Sequence, residues 1–238
     1  MPFPKEDAAK SLYISRKGKR FWLSMAHDME LDVLSEREIK EALVEMSDDE
    51  IMAVTTGYDV GVVRQVTGSD KVTYHFTPEE ELRIARKEAC KRKYQQRYAR
   101  VARANDRAAL RQGPCKVRTN GTVDRRATRR EKQWLEKAAR ASSDIAAIKF
   151  NTSHHISKTI ATNTSMVAAF ENIDHRNLRR KPNAQQDPAT GKWMRNGASA
   201  KRGLNRALAG VNLGQIRAQT KYKLHDRGKL LLLVPAAY

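Results

Sequence analysis

The amino-acid sequence predicts an α/β fold in which a small β element precedes a core sheet that carries a long basic helical hairpin. Three patterns predict it. Short runs of β-branched and aromatic residues, separated by glycine-containing turns, occupy much of residues 11–76 and indicate strands. Two long stretches rich in Ala, Arg and Lys indicate helices. Apolar runs near 165–173 and 229–234 indicate buried strands in the last third of the chain.

The first segment of the chain predicts a β-hairpin and then a short helix. Apolar runs at 12–15 and 21–25 flank a basic, glycine-containing turn, which is the usual pattern of two antiparallel strands. Ser35 and Glu38 form a capping-box pattern, and apolar residues follow them at helical spacing. A short helix is therefore expected to begin at this point.

The next segment predicts a second group of strands. After another capping residue, Ser47, the β-branched residues of 51–66 predict a strand, and the turn at 68–70 leads into a further strand at 71–76. Asp59 lies in the first of these strands, so the pattern places a carboxylate within the predicted sheet.

Two basic helices are predicted to follow and to pack against each other as an antiparallel hairpin. Thr77 is a suitable N-cap and Pro78 a suitable first helical residue, so the first helix is expected to run from there to about Gln112. Glycine and proline at 113–114 end it, and the second helix is predicted over about 124–162.

The last third of the chain predicts a strand, a basic segment, a helix and a strand, in that order. The apolar run at 165–173 predicts a central strand that ends close to Glu171. Residues 176–199 are basic and aperiodic, which predicts a mobile loop. Helical spacing returns over 204–226, and 229–234 predicts the final strand.

Composition indicates a nucleic acid as the partner. The 238 residues include 46 Lys and Arg against 27 Asp and Glu, which gives a formal net charge of +19. Such an excess of positive charge repels itself unless a polyanion neutralises it. No apolar run approaches the roughly 20 residues of a membrane-spanning helix, and no secretory signal is recognised. A cytoplasmic protein without a membrane partner or a small-molecule substrate is expected.

Two acidic residues are the candidates for catalysis. Asp59 lies in the first central strand and Glu171 ends a later one, and the order of predicted elements suggests an RNase H-like core, in which such residues converge. Two carboxylates on adjacent strands can hold Mg²⁺ or Mn²⁺ for the hydrolysis of a phosphodiester. On spacing alone, a turn aspartate and a solvated glutamate at a strand end are the commoner interpretations.

Short motifs in a defined order make the chain similar to a known nuclease family. Gly57-Tyr58-Asp59-Val60-Gly61 resembles the G-x-D-x-G signature that opens the RuvC-like domain of transposon-encoded TnpB proteins and of type V CRISPR effectors. The run that ends in Glu171 resembles the family's second catalytic strand, and the likeness extends over about residues 12–238. The other motifs are Phe150, His155 and Ser157, then Leu204-Asn205-Arg206, Leu213-Gly214, Tyr222-Lys223, Gly228 and Val234-Pro235-Ala236-Ala237-Tyr238, the last of which resembles the family's V-P-x-x-Y motif.

The resemblance implies an RNA-guided DNA endonuclease from a mobile element of prokaryotes or their phages. Asp59 and Glu171 would be its catalytic ligands of Mg²⁺ or Mn²⁺, and guide RNA and target DNA its partners. Residues 1–50 would be the end of a wedge-type β domain with a linker helix. Residues 51–238 would be an incomplete RuvC-like domain, with a basic helical insertion at about 77–162. Homo-oligomerisation stays open.

Two features of the family lie beyond this sequence and leave the question of cleavage open. The family carries a zinc ribbon and a third catalytic aspartate after the V-P-x-x-Y motif, where this sequence ends. Cys90 and Cys115 cannot form a zinc site by themselves, so zinc is expected only in such a ribbon. Without a third carboxylate, the alternative is an inactive, repressor-like RNA-guided DNA-binding protein or an RNA-binding protein.

Basic residues outside the predicted core are candidates for phosphate contacts. Few acidic residues lie three or four positions from the arginines of the helical hairpin, which favours phosphate contact over intrahelical ion pairs. Trp193 is a candidate for stacking on unpaired bases, whereas core packing is expected for Trp22 and Trp134. The candidate phosphate-binding residues are Arg125, Arg126, Arg129, Arg130, Arg179, Arg180 and Lys181.

Overall fold

The protein has a mixed α/β structure, as the sequence predicts. The computed structural model describes residues 11–17, 20–26, 32–62, 64–119, 121–173, 180, 182–194 and 197–235. These residues form a two-stranded sheet, a five-stranded sheet and a set of helices.

The two-stranded sheet is the predicted hairpin at the start of the chain. Its antiparallel strands are β1 (Ser11–Lys17) and β2 (Arg20–Ala26). Consecutive residues of a strand point to opposite faces, and Tyr13 and Ile14 are both exposed. Trp22 is exposed as well, so the prediction that it packs in a core is wrong. Both faces of this small sheet therefore present apolar side chains to solvent.

Two short helices follow, α1 (Glu36–Val44) and α2 (Asp48–Val54). Both begin with a complete capping box, at Ser35 and at Ser47. The first helix is predicted, but the strand predicted from residue 51 is wrong at its start, because α2 continues to Val54. A capping box and an acidic first turn each contribute about 1 kcal/mol to a helix. Together they outweigh the β preference of a few branched residues.

Five strands form the core sheet: β3 (Thr55–Val60), β4 (Val66–Gly68), β5 (Thr73–Tyr74), β6 (Val167–Glu171) and β7 (Leu230–Val234). Their order across the sheet is β5, β4, β3, β6, β7. β4 is antiparallel to β3 and β5, whereas β6 is parallel to β3 and β7. The strand predicted to be central, β6, is indeed flanked on both sides, and the predicted last strand is β7.

The predicted basic helices are α3 (Pro78–Gln112) and α4 (Arg129–Asn163), each of 35 residues and hence about 52 Å long. The first begins at the predicted Thr77 cap. The second begins later than the predicted residue 124, because Thr128 forms a capping box with Glu131 and the preceding residues do not continue the helix.

The two long helices pack as the predicted antiparallel hairpin. Lys87 of α3 pairs with Asp144 of α4 at 2.6 Å, and Asn105 of α3 donates to Thr128 at 3.3 Å, just before α4. The end of α4 nearest β6 packs on the core sheet through Ile156 and other apolar residues. No residue of α3 is fully buried, so one long side of the hairpin faces solvent.

The predicted single helix over 204–226 is in fact two helices, α5 (Ala198–Gly210) and α6 (Leu213–His225). The chain becomes extended at Val211, which is buried, and Asn212 precedes the second helix. Buried residues continue across this break at near-helical spacing, which is why periodicity alone predicts one helix.

The two faces of the core sheet are covered by different helices. On one face, Tyr58 and Phe170 pack against α4 and α6. On the other, Ile39 of α1 packs against Val167 and Leu230. Because side chains alternate along a strand, a residue next to Tyr58 or Phe170 lies on the α1 side of the sheet.

Candidate metal site and nucleic-acid interface

The signature from Gly57 to Gly61 forms most of β3 and the start of the turn after it. The Gly61 N–H donates to the carbonyl oxygen of Gln65 at 3.3 Å, which closes that turn. A Cβ atom at position 61 would lie 2.8 Å from the carbonyl oxygen of Arg64, closer than van der Waals contact allows. Glycine is therefore required where the chain turns, immediately beyond the end of β3.

The pairing of β3 with β6 brings the two predicted catalytic carboxylates to one place. Tyr58 pairs with Phe170 in the parallel register. Asp59 and Glu171 each follow by one residue, so they lie side by side at the carboxyl ends of neighbouring strands, on the α1 side. Neighbouring strands are about 4.8 Å apart, which puts both carboxylates within reach of one cation.

The residues behind this pair form a rigid support. The rings of Tyr58 and Phe170 stack with their centroids 5.1 Å apart, and the Tyr58 hydroxyl is hydrogen-bonded to Thr164 Oγ1 at 3.1 Å. Burial raises the pKa of Tyr58. The backbone that carries the two carboxylates is therefore held from the opposite face of the sheet.

The chemistry of the pair suits a hard divalent cation. Asp59 is exposed and Glu171 is half-buried. Within the described part of the chain, neither carboxylate is used in an ion pair or a side-chain hydrogen bond. Mg²⁺ is commonly held by one or two carboxylates, with substrate phosphates and water as its other ligands. Among the described residues no cluster of three His, Cys, Asp or Glu side chains that could hold a metal ion is found.

The arginines predicted before and at the start of α4 are not equivalent. Arg125 donates to Glu131 Oε1 at 2.6 Å, to Asp106 Oδ1 at 2.7 Å and to the Ala102 carbonyl oxygen at 3.0 Å. It ties the loop between the helices to α3 and α4, and we therefore leave it out of the interface. The other three are exposed: Arg126, Arg129 and Arg130.

The remaining predicted phosphate-binding residues belong to the basic segment after β6. Arg180 is exposed. Arg179 and Lys181 lie outside the described residues. The predicted residues thus occupy separate parts of the molecule, with the carboxylates on the sheet and the exposed arginines of α4 at the far end of the helical hairpin.

Sequence reasoning found the basic character of α3 but missed its arrangement. Basic residues recur along α3 at intervals of seven, with others between them, and seven residues are close to two helical turns, so they share one face. This face spans about 37 Å, close to the roughly 34–36 Å of one duplex turn. We call it the α3 basic stripe; its members, all exposed, are Arg86, Lys93, Arg97, Arg100, Arg107 and Arg111.

Trp134 positions one member of the stripe and is not free to stack on a base. Its ring stacks on Tyr94 with a centroid separation of 5.9 Å. The Arg97 guanidinium carbon lies 4.8 Å, and Lys137 Nζ 4.7 Å, from the centroid of the Trp134 ring. The Arg97 contact and the Tyr94 stack join α3 to α4 and orient Arg97, whereas the Lys137 contact lies within α4.

Two motifs of the family resemblance meet where α4 contacts α6. Lys223 Nζ donates to Ser157 Oγ at 2.6 Å and to the carbonyl oxygen of His154 at 2.7 Å. Burial lowers the pKa of the Lys223 ammonium. Ser157 Oγ donates in turn to Gln219 Oε1 at 3.3 Å. The contact lies on the face of the sheet opposite the two carboxylates, so these residues stabilise helix packing.

Neutralising two members of the α3 basic stripe is expected to make nucleic-acid binding less sensitive to salt. Each phosphate contact contributes about 0.9 to the slope of log K against log salt concentration. The double variant Arg100→Gln, Arg107→Gln should therefore reduce that slope by about 1.8. Fluorescence anisotropy with a short labelled DNA duplex, measured over a series of salt concentrations, gives the slope.

The matched control for this measurement is Lys158→Gln with Lys221→Gln. It removes the same charge from exposed positions of α4 and α6. An equal change of slope in the control would mean that overall charge, and not the stripe, controls binding.

Sequence comparisons give no functional assignment, so the proposal below rests on the geometry of the site. The chain matches no protein-family model, and no curated protein is significantly similar to it. Within the described residues, every helix is too short or too polar to cross a bilayer.

Proposed function

We propose that the chain is the RuvC-like part of an RNA-guided DNA endonuclease related to TnpB proteins. The observation that carries the proposal is the register of β3 and β6, which sets Asp59 and Glu171 side by side. These residues come from two motifs that are far apart in the sequence, and the resemblance assigns both of them to metal binding.

The topology of the core sheet supports an RNase H-like fold as part of this proposal. In that fold, the first three strands are antiparallel neighbours. The fourth strand pairs in parallel with the first, on the edge that the second leaves free, and the fifth pairs in parallel with the fourth. The order β5, β4, β3, β6, β7 fits this description, with α3 and α4 forming the connection from β5 to β6. Parallel strands need such a crossover connection.

Each residue of the pair has a definite task in the proposed reaction. Asp59 and Glu171 would hold the ion with one carboxylate each, and their position at the exposed strand ends would leave room for the scissile phosphate and for water. A bound Mg²⁺ or Mn²⁺ supplies Lewis-acid activation of the phosphodiester and lowers the pKa of the attacking water. Gly61 lets the chain turn away next to the site, so the exposed Asp59 is accessible to a substrate as large as a nucleic acid.

The α3 basic stripe supports guide RNA and target DNA as the partners. Its cations lie along one exposed face of a long helix, and arginine side chains bind phosphate without reading the base sequence. Sequence selection is then left to pairing between guide and target, while the protein recognises the shape and backbone of the heteroduplex.

The second candidate function is RNA-guided binding of DNA without cleavage. It is favoured by the composition of the site, because within the described residues no third acidic or histidine side chain joins Asp59 and Glu171. Two-metal hydrolysis requires enough carboxylate charge to hold both ions. The same basic surface would serve a repressor-like protein equally well.

The deciding experiment is cleavage of a labelled DNA target by the protein purified together with its bound RNA. Cutting is expected in Mg²⁺ or Mn²⁺, and it should stop in EDTA or after the RNA is digested. Cutting that survives removal of the RNA would contradict guidance. Tight RNA-dependent binding with no cutting in either metal would overturn the nuclease and establish the second candidate.

A further inference from the structure

The chain between β6 and α5 contains a small ordered turn that displays a tryptophan. Gln186 and Trp193 form an antiparallel bridge. The Asp187 N–H donates to the Lys192 carbonyl oxygen at 2.9 Å, and the Gly191 N–H donates to the Asp187 carbonyl oxygen at 2.8 Å. Gly191 has φ of +65°, which favours glycine at this position. The turn is therefore held by its own backbone and not by burial.

Trp193 stands in water at the end of this turn. Its exposed fraction is 69 %, whereas Trp134 is half-buried between α3 and α4. A large aromatic side chain that stays in water gives up about 2 to 3 kcal/mol of the free energy that its burial would contribute. Met194, which follows it, is 48 % exposed. An ordered turn that keeps its largest apolar side chain in solvent is typical of a contact site.

The sequence around Trp193 is rich in basic residues. Asp187 is the only carboxylate among the described residues of 180–210, and both of its oxygens accept hydrogen bonds within the turn, from Ala189 N at 2.9 Å and from Thr190 Oγ1 at 2.6 Å. The Thr190 hydroxyl and the Ala189 N–H lower the pKa of this carboxyl group. Among the described residues of 180–210, the exposed basic residues are Arg180, Lys192, Arg202 and Arg206.

We propose that Trp193 is a stacking platform for an unpaired base, and that this turn binds single-stranded nucleic acid. The inference rests on the proposed function in so far as nucleic acid is the partner. Single-strand binding combines aromatic rings, on which bases stack, with cations that follow the backbone, and this turn presents both. In a duplex each base is already stacked on its neighbours and leaves the ring unused, so the site selects single strands.

The test is a titration of the full chain with oligo(dT), in EDTA so that nothing is cleaved. The oligonucleotide is expected to quench tryptophan emission of the wild-type protein saturably. Trp193→Ala should remove this quenching and weaken oligo(dT) binding about tenfold to a hundredfold, as expected for the loss of one stacked base. Trp193→Phe should retain most of the affinity, because phenylalanine still offers a ring.

Controls separate stacking from general effects. Trp22→Ala removes another exposed tryptophan and should leave oligo(dT) affinity unchanged. Binding of a DNA duplex of the same length, and of an abasic oligonucleotide, should be the same for wild type and Trp193→Ala. Wild-type affinity of Trp193→Ala for oligo(dT), or equal weakening on oligo(dT) and duplex, overturns the stacking site.

The stacking site and the proposed nuclease can fail separately. A protein that cuts guided DNA but binds oligo(dT) equally well with and without Trp193 overturns the stacking site alone. A protein that binds oligo(dT) through Trp193 but never cuts overturns the nuclease alone.

Discussion

Asp59→Asn is expected to reduce metal-dependent cleavage by about a thousandfold or more, with the fold and nucleic-acid binding unchanged. A carboxylate that ligates a catalytic ion contributes several kcal/mol of charge stabilisation to the transition state, and about 4 kcal/mol corresponds to a thousandfold in rate. Asparagine has nearly the same shape, and the Asp59 side chain is exposed. Single-turnover cleavage of a labelled target measures the rate, and anisotropy measures binding.

The same variant has a second readout that does not depend on cleavage. A ligand that binds only the folded state stabilises it, by about 2.7 kcal/mol at a hundred times its Kd. Mg²⁺ should therefore raise the unfolding temperature of the wild-type protein but not of Asp59→Asn. Without metal the variant should unfold at a slightly higher temperature, because the like charges of Asp59 and Glu171 no longer repel each other.

Asp49→Asn is the matched control, since it makes the same chemical change at an exposed position of α2. It should cleave, and respond to Mg²⁺, as the wild type does. If Asp59→Asn still gained stability from Mg²⁺, the metal would have to bind elsewhere and the assigned pair would be wrong.

Glu131→Gln is expected to destabilise the helical hairpin by about 3 kcal/mol. The Glu131 side chain is 2 % exposed, accepts from Arg125 Nη2 at 2.6 Å and from the Thr128 N–H at 2.5 Å, and so closes both the ion pair and the α4 capping box. Breaking a buried ion pair costs about 3 to 5 kcal/mol, because the remaining charge is left without its partner; Arg125 keeps Asp106, which favours the lower value. Urea unfolding followed by circular dichroism measures the change.

Acid should have the same effect on the wild-type protein. The Arg125 hydrogen bonds, together with those of Thr128, lower the pKa of Glu131 from 4.5 to about 2. A carboxyl group whose pKa is lowered by folding makes its full contribution to stability at pH values above its pKa in the unfolded chain. This contribution is lost as pH falls from 4.5 to about 2. The free energy of unfolding should therefore decrease more steeply over this range in the wild type than in Glu131→Gln.

Glu136→Gln is the control for this pair of measurements, because Glu136 is exposed on the same helix. Its effect should stay within about 0.5 kcal/mol. Hydrogen exchange adds a local readout: Glu131→Gln should speed exchange at the end of α3 and the start of α4 more than in the core strands. Equal stability of Glu131→Gln and Glu136→Gln would show that Arg125 is not held as described.

The ends of helices and strands were predictable from the sequence where residues close in the chain determine them. α1 and α3 begin at the predicted caps, Ser35 and Thr77, because a cap depends on the hydrogen bonds of residues only three positions apart. The strands β1, β2, β6 and β7 were predictable for a similar reason, since a short apolar run between turn residues seldom forms any other secondary structure.

Boundaries set by competition or by distant contacts were not predictable in this way. At residues 51–54 the same side chains suit a strand or the end of a capped helix, and the acidic first turn of α2 favours the helix. Val211 is buried at the break between α5 and α6. The spacing of apolar residues therefore continues through the break and does not reveal it.

For the candidate site too, some features follow from the local sequence and others only from tertiary packing. Charge, caps and motif residues are properties of the chain read locally, and they were enough to select Asp59, Glu171 and the basic helices. That the two carboxylates are neighbours depends on the parallel pairing of β3 with β6. Arg125 meets Glu131 within a few residues of the chain, but its bond to Asp106 depends on the packing of α3 against α4. The carboxylate pair and the Arg125–Asp106 contact join residues that become neighbours only after the helices have packed, so no local pattern encodes them.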